Sequence, residues 1–128
     1  MRSTSQQYAE VAYRTLTEFA KSHPEKAKEL GRLCHTFPSL VMLNGLRLTW
    51  IFFTSKDGPQ DAHRHYLEAI REAVGIESGI DTLELKSADY RYMTRQMLDA
   101  AVWFKRYAEA ILNVHSATED SPARSNQL

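Results

Sequence analysis

The chain has 128 residues, which favours a single domain, and its 43% hydrophobic and 25% charged residues are ordinary for a globular protein. Sixteen basic residues balance sixteen acidic ones, so overall charge gives no support to polyanion binding. The only cysteine, Cys34, excludes a disulfide framework and fits a reducing compartment. The N-terminus has no secretory signal and the apolar run 40–53 is too short to span a bilayer, so we expect a cytoplasmic protein without membrane contact.

The first predicted helix runs from a serine cap at residues 3–5 to about residue 22. Its buried stripe repeats at helical spacing and contains Tyr8, Val11, Ala12, Thr15, Leu16 and Phe19. Pro24 suits the first turn of a second helix, because proline is tolerated where the backbone N–H has no helical partner. That helix is predicted to end near residues 32–35, where basic side chains complement the helix dipole.

The third predicted helix covers residues 39–54, after a restart at Phe37-Pro38-Ser39. Nearly every face of it is apolar, which predicts the central, buried element of the fold. Gly45 in its interior costs about 1 kcal/mol relative to alanine. Close helix packing is the favoured reason, and close approach of a ligand is the alternative. Asn44 and Arg47 either face a seam between subunits or are satisfied in the core.

A turn is predicted at Asp57-Gly58-Pro59, followed by a fourth helix from Asp61. Its inward residues are Tyr66, Leu67, Ile70, Ala73 and Val74. Residues 75–79 break this helix, residues 81–85 form at most one short turn, and Ser87 caps the final helix. No segment alternates with a period of two, so the fold class is all-α. We expect a compact bundle of about five to six helices over residues 1–115, with a polar, disordered tail over 116–128.

The final predicted helix, residues 87–114, contains no glycine or proline. At 100° per residue its inner face holds Met93, Met97, Ala101, Phe104, Ala108 and Ile111. Its opposite face holds Arg91, Arg95, Asp99, Val102, Arg106 and Glu109. One interpretation is a solvated face with the pairs Arg95–Asp99 and Arg106–Glu109.

The other interpretation of this face is contact of its cations with phosphates. The candidate cations are Arg91, Arg95, Lys105 and Arg106. The neighbouring aromatics Tyr92, Trp103 and Tyr107 could stack on bases or pack against another subunit. Spacing alone favours the solvated face.

The residue pattern offers no catalytic or metal-binding motif. His63 and His65 lie two residues apart, about 200° around a helix, and cannot share a metal ion. The adjacent pair Cys34-His35 does not place a thiolate and its base in productive geometry. Glycines occur singly, so there is no phosphate-binding loop. We therefore expect no enzymatic activity, no metal site and no cofactor.

The order of segments along the chain resembles a known protein family. The segments are FPSLVMLNGLRLTWIFF, a Gly-Pro turn, YLEAI and YRYMTRQMLDAAVWFKRYAEAIL. The most specific pieces are Asn44-Gly45-Leu46, Thr94-Arg95 and the run WFKRYAEA at 103–110. Over about residues 6–113 the chain resembles the small subunit of the Cmr (type III-B) CRISPR RNA-silencing complex.

This resemblance implies a compact helical protein without catalytic activity, present in several stacked copies along a ribonucleoprotein filament. The implied partners are other Cmr subunits (backbone and large subunit), copies of the chain itself, and the crRNA–target RNA duplex, touched mainly through its backbone. In that reading the candidate RNA-binding residues are Arg14, Arg47, Arg91, Arg95, Lys105 and Arg106. Arg14 is included as a substitute, because Tyr8 follows Gln7 where the family often has a basic residue.

Two other functions remain open at this point. The first is the small subunit of the related type III-A (Csm) complex, against which the order of NGL and WFKRYAEA argues. The second is a helical protein–protein adaptor without RNA contact. The zero net charge opposes a free RNA-binding protein but not a repeated subunit, because repetition raises the effective concentration of weak contacts.

Overall fold

A computed structural model describes residues 3–55, 61–76 and 87–113 of the chain. These residues form five α-helices and one 3₁₀ turn at Pro24–Lys26, and they contain no strand. The helices are α1 (Thr4–Ser22), α2 (Ala27–Asn44), α3 (Leu46–Thr54), α4 (Ala62–Val74) and α5 (Ser87–Ile111). The all-α prediction is confirmed. The turns predicted at 57–59 and 81–85, the Ser87 cap and the tail 116–128 lie outside the described residues and side chains.

Helix α1 begins where the serine cluster predicts. The hydroxyl of Ser3 accepts the backbone N–H of Gln6 at 3.1 Å, and the Gln6 side chain accepts the backbone N–H of Ser3 at 2.8 Å. This capping box satisfies two N–H groups that the first turn would otherwise leave unpaired. The buried residues of the helix are Tyr8, Val11, Ala12, Leu16 and Phe19. The predicted stripe is confirmed except at Thr15, which is half-buried.

Helix α2 does not end near residues 32–35, and the predicted restart at Phe37-Pro38-Ser39 is wrong. The helix continues through Pro38 to Asn44. Proline inside a helix removes one hydrogen bond and costs about 3 kcal/mol. The buried stripe crosses the proline without interruption and consists of Leu30, Leu33, Cys34, Phe37 and Val41. Burial of large apolar side chains on both sides of Pro38 therefore outweighs its local cost.

Gly45 lies between two helices and not inside one, contrary to the prediction of a single helix over 39–54. Its backbone has φ 90° and ψ 160°, in the region that side chains with a Cβ rarely adopt. A Cβ built at Gly45 would lie 3.5 Å from the hydroxyl oxygen of Tyr90, which is an ordinary contact distance. The glycine is therefore explained by the backbone turn and not by close helix packing.

Helix α3 is only half-buried, so the prediction of a central, fully buried element is also wrong. Its inner face holds Leu46, Thr49, Trp50 and Phe53. Its outer face, together with the end of α2, exposes Met42, Leu43, Leu48, Ile51 and Phe52. Apolar residues on every side of a segment do not identify which side the rest of the chain covers. In this fold α3 lies at the edge of the bundle.

The centre of the bundle is an aromatic cluster around Tyr66 of α4. The ring centroid of Tyr66 lies 5.0 Å from that of Phe37, 6.0 Å from that of Phe53 and 5.3 Å from that of Phe104. All four side chains are fully buried. Because they come from α2, α3, α4 and α5, this cluster joins the four helices into one core.

Helix α4 has the ends that the sequence predicts. The Asp61 carboxylate accepts the backbone N–H of His63 at 2.7 Å, and Gly75 closes the helix with φ 80° and ψ 32°. Burial opposes the ionised carboxyl of Asp61, but hydrogen bonds from His63 and the charge of Lys26 lower its pKa overall. The predicted inward residues are confirmed at Tyr66, Leu67, Ile70 and Ala73, whereas Val74 is half-buried.

Tyr90 of α5 supplies the cap that α3 does not have in its own sequence. The N-cap residue of α3 is Gly45, which has no side chain to accept a hydrogen bond. The backbone N–H of Arg47 instead donates to the Tyr90 hydroxyl at 2.8 Å, and the Arg47 guanidinium lies 5.6 Å from the centroid of the same ring. Arg47 therefore has contacts within the subunit, whereas Asn44 is exposed, and the seam between subunits stays a prediction for both residues.

Replacing Tyr90 by phenylalanine is expected to lower the free energy of unfolding by about 1 kcal/mol, because the part-buried N–H of Arg47 loses its acceptor. Urea unfolding followed by circular dichroism measures this loss. Tyr92→Phe is the matched control: Tyr92 is 65% exposed and its hydroxyl makes no hydrogen bond to the described residues. An unchanged unfolding midpoint for Tyr90→Phe would show that the hydroxyl does not cap α3.

Helix α5 packs along α1 and α2 through its inner face. The buried residues of this face are Met97, Ala100, Ala101, Phe104 and Ala108. The predicted inner face is confirmed, with Met93 and Ile111 half-buried near its ends. None of the described helices is long and apolar enough to cross a membrane.

Candidate nucleic-acid interface

The outer face of α5 carries four cations, Arg91, Arg95, Lys105 and Arg106, which we call the basic stripe. All four are exposed, because the opposite face of the helix is occupied by contacts with α1 and α2. At 1.5 Å per residue the stripe extends about 22 Å from its first to its last residue. The helix is continuous over this length, so the cations are held on one rigid element.

The two ion pairs predicted for this face are not formed. Within the described parts of the chain, no carboxylate oxygen lies within 4.0 Å of a nitrogen of the basic stripe. Glu109 instead points to His35 of α2, with 3.9 Å between Oε2 and Nε2. The Arg106 guanidinium lies 5.0 Å from the ring centroid of Trp103. The face is thus not neutralised by the pairs Arg95–Asp99 and Arg106–Glu109.

A groove of about 500 Å³ separates the start of α1 from the outer face of α5. We call it the α1–α5 groove. Its cationic walls are Arg95 and Arg106, its aromatic walls are Tyr92 and Trp103, and Asp99 supplies a carboxylate. Thr4, Ser5 and Tyr8 close it from the side of α1. The groove therefore combines positive charge with flat apolar surface, the two features that recognise nucleotides.

The pKa of Tyr8 reflects its burial in the groove and the charge of a neighbouring carboxylate. Burial and then the charge of Asp99 raise the pKa of the Tyr8 phenol, although a hydrogen bond with Gln96 lowers it. Two arginines and one aspartate leave the groove with one net positive charge.

The aromatic side chains beside the basic stripe differ in their exposure and contacts. Trp103 and Tyr107 have ring centroids 6.4 Å apart, and Tyr107 meets Tyr13 of α1 edge-on at 5.5 Å. These two α5 residues are half-buried and connect α5 to α1. Tyr92 is 65% exposed and makes no ring contact with the described residues. Of the three predicted aromatics, Tyr92 is therefore the most available to a partner.

The other two predicted RNA-binding residues lie away from the basic stripe. Arg14 forms an ion pair with Glu72 between α1 and α4. It borders a second groove of about 340 Å³, which also contains His23 and His65. Arg47 lies against Tyr90 at the junction of α2 and α3. The structure brings four of the six predicted cations together and leaves these two elsewhere.

Three potentially reactive side chains, Cys34, His23 and His65, are buried or partly buried among the helices. Cys34 is fully buried, and burial raises the pKa of its thiol far above the usual value. The ring centroids of His23 and His65 lie 5.5 Å apart. Burial lowers the pKa of His65, and the negative charge of Glu68 opposes this shift. No group of three or more His, Cys, Asp or Glu side chains in the described ranges could hold a metal ion.

The sequence did not identify the α1 side of the groove. Thr4, Ser5 and Tyr8 precede the basic stripe by more than 80 residues, and nothing in their spacing relates them to it. The available signal was the polar and aromatic character of the first turns of α1. Only the packing of α1 on α5 shows that these residues border the same groove.

Comparisons with known proteins agree with the resemblance described above. A family model described as CRISPR-associated protein (Cas_Cmr5) matches residues 4–111. The CRISPR system Cmr subunit Cmr5 of Thermus thermophilus is 32% identical over 119 residues, which cover 88% of this chain and 98% of that protein. The X-ray crystal structure of a CRISPR-associated Cmr5 family protein from Thermus thermophilus has a TM-score of 0.76 and 30% identity, covering 88% of this chain and 99% of that one. The chain therefore belongs to the Cmr5 family, the small subunits of the Cmr complex.

Proposed function

We propose that this chain is a non-catalytic subunit that stacks in several copies along the Cmr ribonucleoprotein and contacts the backbone of the crRNA–target RNA duplex through the basic stripe. The observation that carries the proposal is the set of four cations on one outward helix face without an ion pair among the described residues. Exposed cations that are not neutralised internally are available to phosphates.

The chemistry of the basic stripe suits phosphates. Three of its four cations are arginines, whose planar guanidinium matches phosphate oxygens in bidentate geometry. Phosphate contacts carry no base information, so the subunit would accept any target and leave specificity to base pairing. Such a role fits an effector that must act on many different RNAs in the cytoplasm.

The neutral charge of the chain requires several copies for useful RNA affinity. One copy supplies few phosphate contacts, and its sixteen acidic residues offset its sixteen basic residues. Copies held side by side would act at high effective concentration on one RNA. We assign RNA contact to Arg91, Arg95, Lys105 and Arg106, and intramolecular roles to Arg14 and Arg47, which have partners in the subunit.

We assign no catalytic step to the chain. The one thiol is buried and kept protonated, and its neighbour His35 is oriented towards Glu109. Nucleophilic catalysis by a thiol requires its ionised form, which the burial of Cys34 opposes. The described residues offer a helical scaffold with a charged face instead.

Co-purification tests assembly. The tagged chain is expressed in a host that carries the remaining Cmr genes and a CRISPR array, and it is isolated at low salt. We expect the backbone proteins, the large subunit and crRNA to elute with it, because family membership makes the other Cmr subunits its partners. Elution of a folded chain without crRNA and backbone proteins would overturn the proposal and favour the adaptor function.

A further inference from the structure

We propose that His35 of α2 is a positioning residue for the RNA contact of α5, because it keeps the Glu109 carboxylate away from Lys105 and Arg106. The proposal rests on the proposed function, since it concerns two cations of the basic stripe. It goes further by giving a partly buried residue of another helix a part in RNA contact.

Glu109 is the carboxylate of α5 best placed to neutralise the end of the basic stripe. It follows Lys105 by four residues and Arg106 by three, and residues at both spacings are neighbours on a helix surface. The other acidic residues of α5, Asp89 and Asp99, precede Lys105 by six residues or more. A cation paired with Glu109 would offer less of its charge to a phosphate. On an isolated helix, α5 would therefore hold part of its own stripe in ion pairs.

In the folded subunit Glu109 is directed towards α2. Its Oε2 atom lies 3.9 Å from Nε2 of His35, within the distance of an ion pair when the imidazole is protonated. The His35 side chain is 10% exposed and that of Glu109 is 34% exposed, so solvent screens their attraction less than that of a fully exposed pair. In the part of the chain that the structure describes, no carboxylate oxygen lies within 4.0 Å of a nitrogen of Lys105 or Arg106.

The position of His35 is fixed by the core of the bundle. It follows the fully buried Cys34 and lies two residues before the fully buried Phe37, on a helix that packs along α5. Lys105 and Arg106 are long, exposed side chains that lose rotamer freedom when they form an ion pair. An imidazole that is already fixed pays less of this entropy, so His35 competes well for the carboxylate.

Arg106 has a second contact that preserves its charge. Its guanidinium lies 5.0 Å from the ring centroid of Trp103. An arginine over an aromatic face retains in-plane N–H groups that can donate to a phosphate. Because the indole ring has no net charge, this contact does not neutralise the basic stripe. His35 and Trp103 therefore act at the same end of the stripe, one by removing a competitor and the other by orienting the cation.

A double-mutant cycle in the reconstituted Cmr complex tests the proposal, with filter binding of labelled target RNA as the measurement. His35→Phe removes both ring nitrogens and retains an aromatic ring. We expect it to weaken capture about twofold for each copy that contacts the RNA, because Glu109 then pairs with the cations. These factors multiply over the copies, since the free energies of separate sites add. Adding Glu109→Gln to His35→Phe should restore capture.

Two further variants separate charge from packing. His35→Gln retains an N–H group that can donate to Glu109 and should retain capture. Equal losses in His35→Phe with and without Glu109→Gln would show that the loss comes from disturbed packing, which would overturn the proposal. Circular dichroism measures the fold of each variant, and His35→Ala replaces His35→Phe in the same cycle where the phenylalanine disturbs α2.

Lys105→Gln combined with Arg106→Gln separates this proposal from the proposed function. Weaker capture in that double variant, with capture unchanged in His35→Phe, would overturn the role of His35 and leave the basic stripe standing. Unchanged capture in that double variant would overturn RNA contact at this end of the stripe and the role of His35 with it.

Discussion

Reversing two cations of the basic stripe, in the double variant Arg95→Glu and Lys105→Glu, is expected to weaken target-RNA capture by the assembled complex about tenfold or more. Each substitution removes an attraction to phosphate and adds a repulsion. Both side chains are exposed and have no ion-pair partner among the described residues, so the fold should remain intact. Filter binding of labelled target RNA to the reconstituted complex measures the loss, and circular dichroism measures the fold.

The matched control reverses two cations elsewhere on the bundle. Lys28 and Arg32 of α2 lie one helical turn apart, outside the basic stripe, and produce the same change in net charge when both become glutamate. We expect the control variant to retain most of the RNA capture. Equal losses in the two variants would show that RNA capture depends on overall charge and not on the basic stripe. Unchanged capture in both variants would show that the outer face of α5 is a solvated face without RNA contact.

The salt dependence of target-RNA capture is a second measurement on the double variant Arg95→Glu and Lys105→Glu. Each phosphate contact contributes about 0.7 to 0.9 to the slope of log affinity against log salt concentration. The charge-reversed variant should therefore show a shallower slope than the unaltered complex. A slope that does not change would indicate that Arg95 and Lys105 release no counterions on binding.

Phe104→Ala is expected to lower the free energy of unfolding by about 3–5 kcal/mol, because it leaves a cavity in the middle of the core. Phe104 is fully buried and its ring centroid lies 5.3 Å from that of Tyr66. Domains of this size have stabilities of about 5–15 kcal/mol, so the variant would lose a large part of its margin. Urea unfolding at 25 °C measures the change.

Val102→Ala on the same helix is the control for Phe104→Ala. Val102 is 42% exposed on the outer face, and its truncation should change stability by no more than about 0.5 kcal/mol. A loss below about 1 kcal/mol for Phe104→Ala would contradict the placement of α5 against the aromatic cluster. It would also remove the reason for which the basic stripe faces outward.

The ends of α1 and α4, and the buried faces of α1, α4 and α5, could be predicted because their signals are local. The serine cap, Asp61 and Gly75 act on backbone groups within four residues, and the α5 stripe repeats within one helix. Helices α2 and α3 were predicted incorrectly at Pro38 and Gly45. The helix continues through Pro38, where a break was expected, and the chain turns at Gly45, where a continuous helix was expected. A proline normally ends a helix, and a glycine is compatible with either a helix interior or a turn.

The candidate site was predictable in part for the same reason. The residue pattern identified Arg91, Arg95, Lys105 and Arg106 as the candidate cations of α5, and the family resemblance favoured their contact with RNA. Whether their charges were neutralised depended on rotamers and on partners from other helices. Glu109 faces His35 of α2 and Arg106 lies on Trp103, neither of which follows from the i,i+3 and i,i+4 rules.

The sequence alone determined the all-α class, the polarity of α5 and the family to which the chain belongs, because periodicity, caps and segment order are written in consecutive residues. The tertiary structure alone decided that α2 continues through Pro38, that Tyr90 caps α3, and that α1 completes a groove beside the basic stripe. Each of these depends on contacts between residues far apart in the chain, whose combined burial and hydrogen bonding outweigh local preferences of a few kcal/mol.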